Sequence, residues 1–292
     1  MEHNDRTFNG LDGSFHYIDW GGSGPLTHIA HATGLCAGAY SPMAKSLQAH
    51  LHVVGLDFRG HGHSVAPAYA RGLKNWEIFY DDLERFFEHL GKPFVAIGHS
   101  LGGTASLVVS SRRPELVSAL ILIEPGIMAP LWRPWVYLAQ KTGLSGYVPF
   151  VTRASGRKGV WKNRDLARAD VYKKGQFRYW ADDFIDAFID EGLKNDEMRS
   201  VKLACNPAWE GRCLAMAPCN IWKYVPRLKI PTLVLYGKLS KTFLPSVVRR
   251  FRADVPQAKI IGFEQTGHFI PMEVPEKTVE VILNFLSENK IV

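Results

Sequence analysis

The stretch Phe94-Val-Ala-Ile-Gly-His-Ser-Leu-Gly-Gly103 constrains this chain more than any other. Phe94 to Ile97 reads as a short buried strand, Gly98 to Gly102 break it, and a helical pattern follows from Thr104. A serine on so sharp a turn sits in a strained backbone, and the chain two residues either side passes close to its neighbours. Glycine at 98 and 102 removes the Cβ atoms that would clash there. Ser100 is then presented at the positive end of the following helix. The bare G-x-S-x-G pattern also fits a plain glycine-rich connector. The strand–turn–helix context makes it a nucleophile elbow, with Ser100 as the nucleophile.

A chain of 292 residues with 46% hydrophobic content is enough for one large globular core, with room for an inserted sub-domain. The polar start Met1-Glu-His-Asn-Asp-Arg6 has no apolar segment of the kind that directs secretion, so a cytoplasmic location is expected. No apolar run approaches the roughly 20 residues of a membrane span. Cys36, Cys205, Cys213 and Cys219 lack C-x-x-C spacing and nearby clustered histidines, which argues against a zinc site or a disulfide framework and for reduced thiols. The net charge is +7, and much of the excess lies in Arg157, Lys158, Lys162, Arg164, Arg168, Lys173 and Lys174. A solvated helix face accounts for this run, since no nucleic-acid motif accompanies it.

Along the chain, Phe8 to Trp20 with its Asp12-Gly13 turn suggests an edge hairpin forming the first two strands. Leu26–Ala32, Leu51–Asp57, Phe94–Ile97 and Val117–Ile123 read as the third to sixth strands. Helices are expected at Tyr40–Ala49 and Trp76–Leu90 and after the elbow to about Arg112. Ile230–Gly237 and Ala258–Phe263 follow as the seventh and eighth strands, and Val274–Asn289 as a closing amphipathic helix. Short apolar strands alternating with helices imply an α/β fold, with a mostly parallel eight-stranded sheet covered on both faces. Such sheets place ligands at the carboxyl ends of their strands. Between Gly126 and Leu228 the strand patterns vanish and aromatic residues recur at helical spacing. A connection of this length is expected to be an inserted helical lid over residues 126–228, dividing a core of residues 1–125 and 229–292. Most of its aromatics should form the lid's own core, and some should line a pocket.

A serine hydroxyl needs a base, and the base needs an orienting group. His268, in Gln265-Thr-Gly-His268-Phe, follows the last strand directly and is the best-placed of the eleven histidines. The chain thus resembles the α/β-hydrolase family over nearly its whole length. The resemblance rests on Gly98-His-Ser-Leu-Gly102, the late Gly267-His268, the Asp57-Phe-Arg-Gly-His-Gly-His-Ser64 turn and the helical insert. It implies an eight-stranded sheet with a cap, no metal and no organic cofactor, and a structural role for the turn that holds His61 and His63.

Members of that family usually carry the triad acid after the seventh strand, about three residues past a glycine. Here Ser240 stands at that position, and no carboxylate lies between Gly237 and Ala253. Serine can hydrogen-bond an imidazole but cannot offset the charge of an imidazolium. Some members place the acid after the sixth strand, which here ends Ile123-Glu124-Pro125. Glu124 is therefore the expected acid, in the order Ser100, Glu124, His268; Asp57 and Glu264 are weaker substitutes. The oxyanion hole needs two backbone N–H groups. Leu101 should give one and the loop His31–Cys36 the other, with Leu35 assigned and Cys36 next.

Together these features point to a serine hydrolase cleaving a carboxylic ester or lactone of apolar or aromatic character through an acyl-enzyme. A carbon–carbon bond hydrolase uses a similar triad and stays open. So does a slow or non-catalytic ligand receptor, which the displaced acid keeps in play.

Overall fold

The alternating apolar residues of the central strands decide the layering. A computed structural model describes residues 3–172, 174–196 and 199–292; Met1 and Glu2 of the polar start and Lys173 of the basic run lie outside them. In chain order the first elements are β1 (Asn4–Asn9), β2 (Ser14–Gly21), β3 (Leu26–Ala30), α1 (Ser41–Leu47) and β4 (His52–Leu56). Then come α2 (Glu77–Leu90), β5 (Phe94–His99), α3 (Leu101–Arg112) and β6 (Val117–Ile123). The next stretch holds α4 (Arg133–Thr142), α5 (Pro149–Ser155), β7 (Val160–Trp161), α6 (Arg164–Val171), α7 (Asp182–Glu191), β8 (Leu193–Asn195), β9 (Val201–Leu203) and α8 (Pro207–Ala215). The chain ends with β10 (Thr232–Gly237), α9 (Pro245–Asp254), β11 (Lys259–Phe263), α10 (Ile270–Glu273) and α11 (Pro275–Glu288).

Eight strands form one sheet in the order β1-β2-β4-β3-β5-β6-β10-β11. The β1–β2 and β2–β4 pairs are antiparallel and the rest are parallel. In β5, Phe94 and Ala96 face one apolar core while Val95 and Ile97 face another; in β6, Leu120 and Leu122 face the first and Ile121 and Ile123 the second. The first core is closed by α2, α3 and α9, the second by α1, α7 and α11. Each fully buried large side chain contributes about 1.5–3 kcal/mol, so both faces must be covered. α2 shows how local pattern serves this end. Phe79, Leu83, Phe86 and Phe87 fall on one stripe, and Gly91 ends the helix at a φ of +67°.

Two expectations need correction. The stretch between β6 and β10 is mainly helical, but β7, β9 and β8 form a small antiparallel sheet of their own. Strands of two and three residues are too short to show a period-two pattern, so this sheet left no signal. The basic run is also more than a solvated face. Arg164 donates to the carbonyls of Asp190 (3.0 Å) and Leu193 (3.0 Å), Arg168 pairs with Asp186, and Lys174 with Asp170.

The turn after β4 is a buried polar node. Asp57 accepts hydrogen bonds from His16 Nδ1 (2.7 Å), Ala37 N–H (2.7 Å) and His63 N–H (2.8 Å). Arg59 reaches Asp82 on α2 through two nitrogens, both at 2.8 Å, and Asp12 in the β1–β2 turn at 2.7 Å. Burial pushes the Asp57 pKa up, but the hydrogen bond and charge of His16 and its other partners outweigh this and hold it at about 2. Burial pulls His16 down, and its carboxylate partners outweigh that and raise it. A depressed acid stabilises the fold above its unfolded pKa of 3.8 and loses that contribution as pH falls toward 2. A raised histidine stabilises below its unfolded pKa of 6.5 and loses that contribution as pH rises through the folded value. Asp57→Asn should therefore lower Tm most between about pH 4 and 6.5, by the equivalent of about 2 kcal/mol, with the difference from wild type narrowing on either side. Melts recorded across pH 3–9 check this; a difference independent of pH contradicts it.

Candidate active site

β5 ends at His99, and Ser100 turns the chain into α3 with φ +53° and ψ −111°. The glycines are required: a Cβ on Gly98 would lie 2.5 Å from Gly102 O, and one on Gly102 would lie 2.2 Å from Ala30 O. Ser100 N–H donates to Ile123 O (3.0 Å), which ties the elbow to the end of β6. Holding a serine at this backbone angle costs on the order of 1–3 kcal/mol, which the surrounding packing must offset.

The residue directly after β6 is Glu124, also at positive φ (+47°) and fully buried. Its N–H donates to Leu235 O at 2.8 Å, locking it against β10. Three donors meet its carboxylate. Gly237 N–H reaches Oε1 at 2.8 Å, the Ser240 hydroxyl donates to Oε2, and His268 Nδ1 reaches Oε2 at 3.0 Å. Hydrogen bonds to a charged group contribute about 1.5–3 kcal/mol each, which answers the desolvation of a buried carboxylate. Position 240 thus enters the site as expected for the usual acid position, but as a donor to Glu124. Gly237 must be glycine, because a Cβ there would stand 2.1 Å from Gly267 O.

His268 lies in the loop after β11. Glu273 grips that loop on both sides of the histidine, accepting from Gly267 N–H (2.7 Å) and Phe269 N–H (3.0 Å). His268 O accepts from His99 Nε2 (2.9 Å), whose Nδ1 accepts from Tyr40 Oη (2.6 Å); Tyr40 Oη accepts from Ala32 N–H (3.1 Å). Burial, and then the charge of His268, push the His99 pKa well down, so the ring is neutral and serves as a spacer with one donor and one acceptor. One relay therefore joins the loop after β3, the elbow and the His268 loop. With Nδ1 given to Glu124, the Nε2 atom of His268 takes no hydrogen bond among the described residues. That is the atom a base needs.

The loop after β3 is held from two sides. Gly102 N–H donates to His31 O (3.2 Å), and His31 Nε2 accepts from Phe58 N–H (3.0 Å). Leu101 opens α3, where an amide has no intrahelical partner. Leu35 N–H, in contrast, closes a turn onto Ala32 O at 3.2 Å, while Thr33 Oγ1 is buried with no partner. Burial pushes the Cys36 thiol well up, keeping it protonated. Asp57 is spent on His16, and Glu264 is exposed and paired with Lys238, so neither alternative acid reaches His268. His61 is buried and bonded to Arg59 O, and His63 lies 3.9 Å from Glu191.

Tyr40, His99, Ser240 and Glu273 were not read as supporting residues from sequence. Ser240 alone carried a signal, through its place three residues past Gly237. The stretch between β6 and β10 comes down beside the site: Trp180 packs on Phe269 (5.2 Å between ring centres), which stands edge-on to His268 at 5.2 Å. Of its aromatics, Trp161, Phe177, Trp180, Phe184 and Phe188 are buried, whereas Trp132, Trp135, Tyr137, Tyr147 and Tyr179 are exposed.

Comparison with known proteins agrees with this layout. A profile of the alpha/beta hydrolase family matches residues 29–281. A monoacylglycerol lipase of Xenopus laevis is 23% identical over 276 residues, covering 91% of this chain and 76% of that protein. A monoglyceride lipase of Mus musculus is 29% identical over 266 residues, covering 88% and 79%. Among solved structures, an E-2-(acetamidomethylene)succinate hydrolase superposes with a TM-score of 0.77 at 19% identity, covering 98% of this chain and 100% of that one. The thioesterase domain of a curacin biosynthetic pathway gives 0.78 at 18% identity, covering 97% and 100%. The family profile spans more than four-fifths of the sequence and includes the elbow, Glu124 and His268. The chain belongs to the alpha/beta hydrolase family.

Proposed function

We propose that the chain is a serine hydrolase that cleaves a carboxylic ester or lactone, with Ser100 as nucleophile, His268 as base and Glu124 as the acid of the triad. The observation that carries this reading is the fully buried Glu124 carboxylate bonded to His268 Nδ1 at 3.0 Å. It fixes the ring so that the lone pair of Nε2 is free to take the serine proton. Ser100 Oγ attacks the acyl carbon as its proton passes to Nε2, and the carbonyl π electrons move onto the oxygen. Collapse of the tetrahedral intermediate breaks the bond to the leaving oxygen, which takes the proton back from His268. A water molecule repeats the sequence on the acyl-enzyme and frees the acid. Glu124 keeps its hydrogen bond to Nδ1 and steadies the imidazolium.

In this reading Leu101 N–H supplies one oxyanion donor and the His31–Cys36 loop the other. Leu35 is the amide assigned from sequence, with Cys36 next; the Leu35 N–H closes a turn onto Ala32 O, which favours Cys36. Residues 126–228 act as the cap, and residues 1–125 with 229–292 as the catalytic core. The contact of buried Trp180 with half-buried Phe269 beside His268 favours an apolar or aromatic substrate. The lipase names of two relatives agree with such a substrate class.

Three outcomes test the assignment on p-nitrophenyl esters of graded chain length. Ser100→Ala should abolish turnover. Glu124→Gln should lower kcat by about 10³–10⁴ with KM within a few-fold, as expected when a triad acid loses its charge. Ser240→Ala should cost about tenfold, the loss of one hydrogen bond to a charged acceptor. Glu124→Gln turning over within a few-fold of wild type contradicts the triad. Wild type that cleaves a ring-fission diketone faster than every ester and lactone transfers the site to carbon–carbon bond hydrolysis.

A further inference from the structure

Residues 131–150 carry an exposed apolar surface. Among the described residues sixteen large apolar side chains are exposed, and eight of them fall within these twenty positions. Leu131 is 79% exposed, Tyr147 78% and Trp135 67%; Trp132, Leu138 and Phe150 are each more than half exposed. α4 contains no buried residue. It is tethered on one side, where Gln140 Nε2 donates to Ala215 O (3.2 Å) and Ala217 O (2.8 Å), with Val136 and Ala139 partly covered beside it. The rest of the helix faces water, as do Leu144, Tyr147 and Phe150 in the segment after it, where Ser145 and Val148 turn inward. Their apolar area is on the order of several hundred Å², as large as the patches that mark interaction sites on monomeric proteins.

The charge around this patch names the partner. No acidic residue occurs between Glu124 and Asp165, whereas seven arginines and lysines do. Arg133, Lys141 and Arg153 stand exposed within or beside the apolar stretch, and Lys141 lies over the Tyr137 ring at 5.5 Å. Exposed tryptophan and tyrosine interleaved with cations suit the boundary between lipid headgroups and acyl chains. A second copy of the chain fits less well, because a self-complementary contact would set the same cations against each other. No helix among the described residues is long and apolar enough to cross a membrane, so the mode is lying on the surface.

We propose that Leu131–Phe150 seats the protein on an anionic lipid bilayer, its aromatic and leucine side chains at the acyl boundary and Arg133, Lys141 and Arg153 on the lipid phosphates. This surface is independent of the triad and stands whether or not the catalytic assignment does.

The test is co-sedimentation with sucrose-loaded vesicles of phosphatidylcholine alone, or of phosphatidylcholine and phosphatidylglycerol in equal parts. Light scattering is read on the same samples without lipid. Wild type should partition onto the anionic vesicles about tenfold or more better than onto the neutral ones. Trp135→Glu with Leu138→Glu should reduce that binding at least tenfold while hydrolysis of p-nitrophenyl acetate is unchanged. Arg133→Ala with Lys141→Ala should erase the preference for anionic vesicles, and this pair decides the matter if the acidic double variant melts early. Wild type that stays in the supernatant with both vesicles overturns the proposal. So does either double variant binding like wild type, or a wild-type dimer that the acidic double variant converts to monomer.

Discussion

The Glu124–His268 contact is the interaction on which the rest of this site depends. A carboxylate taken fully out of water is costly unless each lone pair finds a donor. Here the donors come from three separate segments: the end of β10, the turn after it, and the loop after β11. The acid cannot be moved without breaking all three. Its backbone is equally fixed, at positive φ and tied to Leu235. The elbow is fastened to the same place, because Ser100 N–H bonds Ile123 O, one residue before the glutamate.

Such convergence is a property of the parallel sheet. β5, β6, β10 and β11 are neighbours and all run the same way, so their carboxyl ends deliver residues 99–100, 124, 237–240 and 268 to one edge. The chain supplies precision to that edge with polar braces. Glu273 fixes the His268 loop through two amides, and the Tyr40–His99 pair links that loop to the one after β3. Glu124, directly after β6, reaches across β10 to the His268 ring. Ser240, three residues past Gly237, contributes the hydroxyl that donates to this buried carboxylate.

Much of this was legible in the sequence because it is local. The period of Phe79, Leu83, Phe86 and Phe87 marks α2, the glycines at 98 and 102 mark the elbow, and the run 230–237 marks β10. Glu124 came through exclusion, since the residues after β10 offer no carboxylate. What stayed hidden is non-local. Nothing near Tyr40 or Glu273 announces a partner 59 residues away or an amide in another turn. The sheet β7–β9–β8 was missed because its strands are too short to establish a period. The aromatics of residues 131–150 were expected to form mostly an internal core; helical spacing says that a face exists, but not whether protein covers it. The structure separates Phe184 and Phe188, which are buried, from Trp132 and Trp135, which are not.

Covalent labelling reads out whether Ser100 is activated by a histidine that Glu124 orients. The protein would be treated with a fluorophosphonate, digested, and its peptides mapped by mass spectrometry, for wild type, Glu124→Gln and His268→Ala. The expected result is one adduct on Ser100 in wild type, formed far more slowly in both variants. An unlabelled wild type, an adduct on another residue, or equal rates in all three proteins would contradict it.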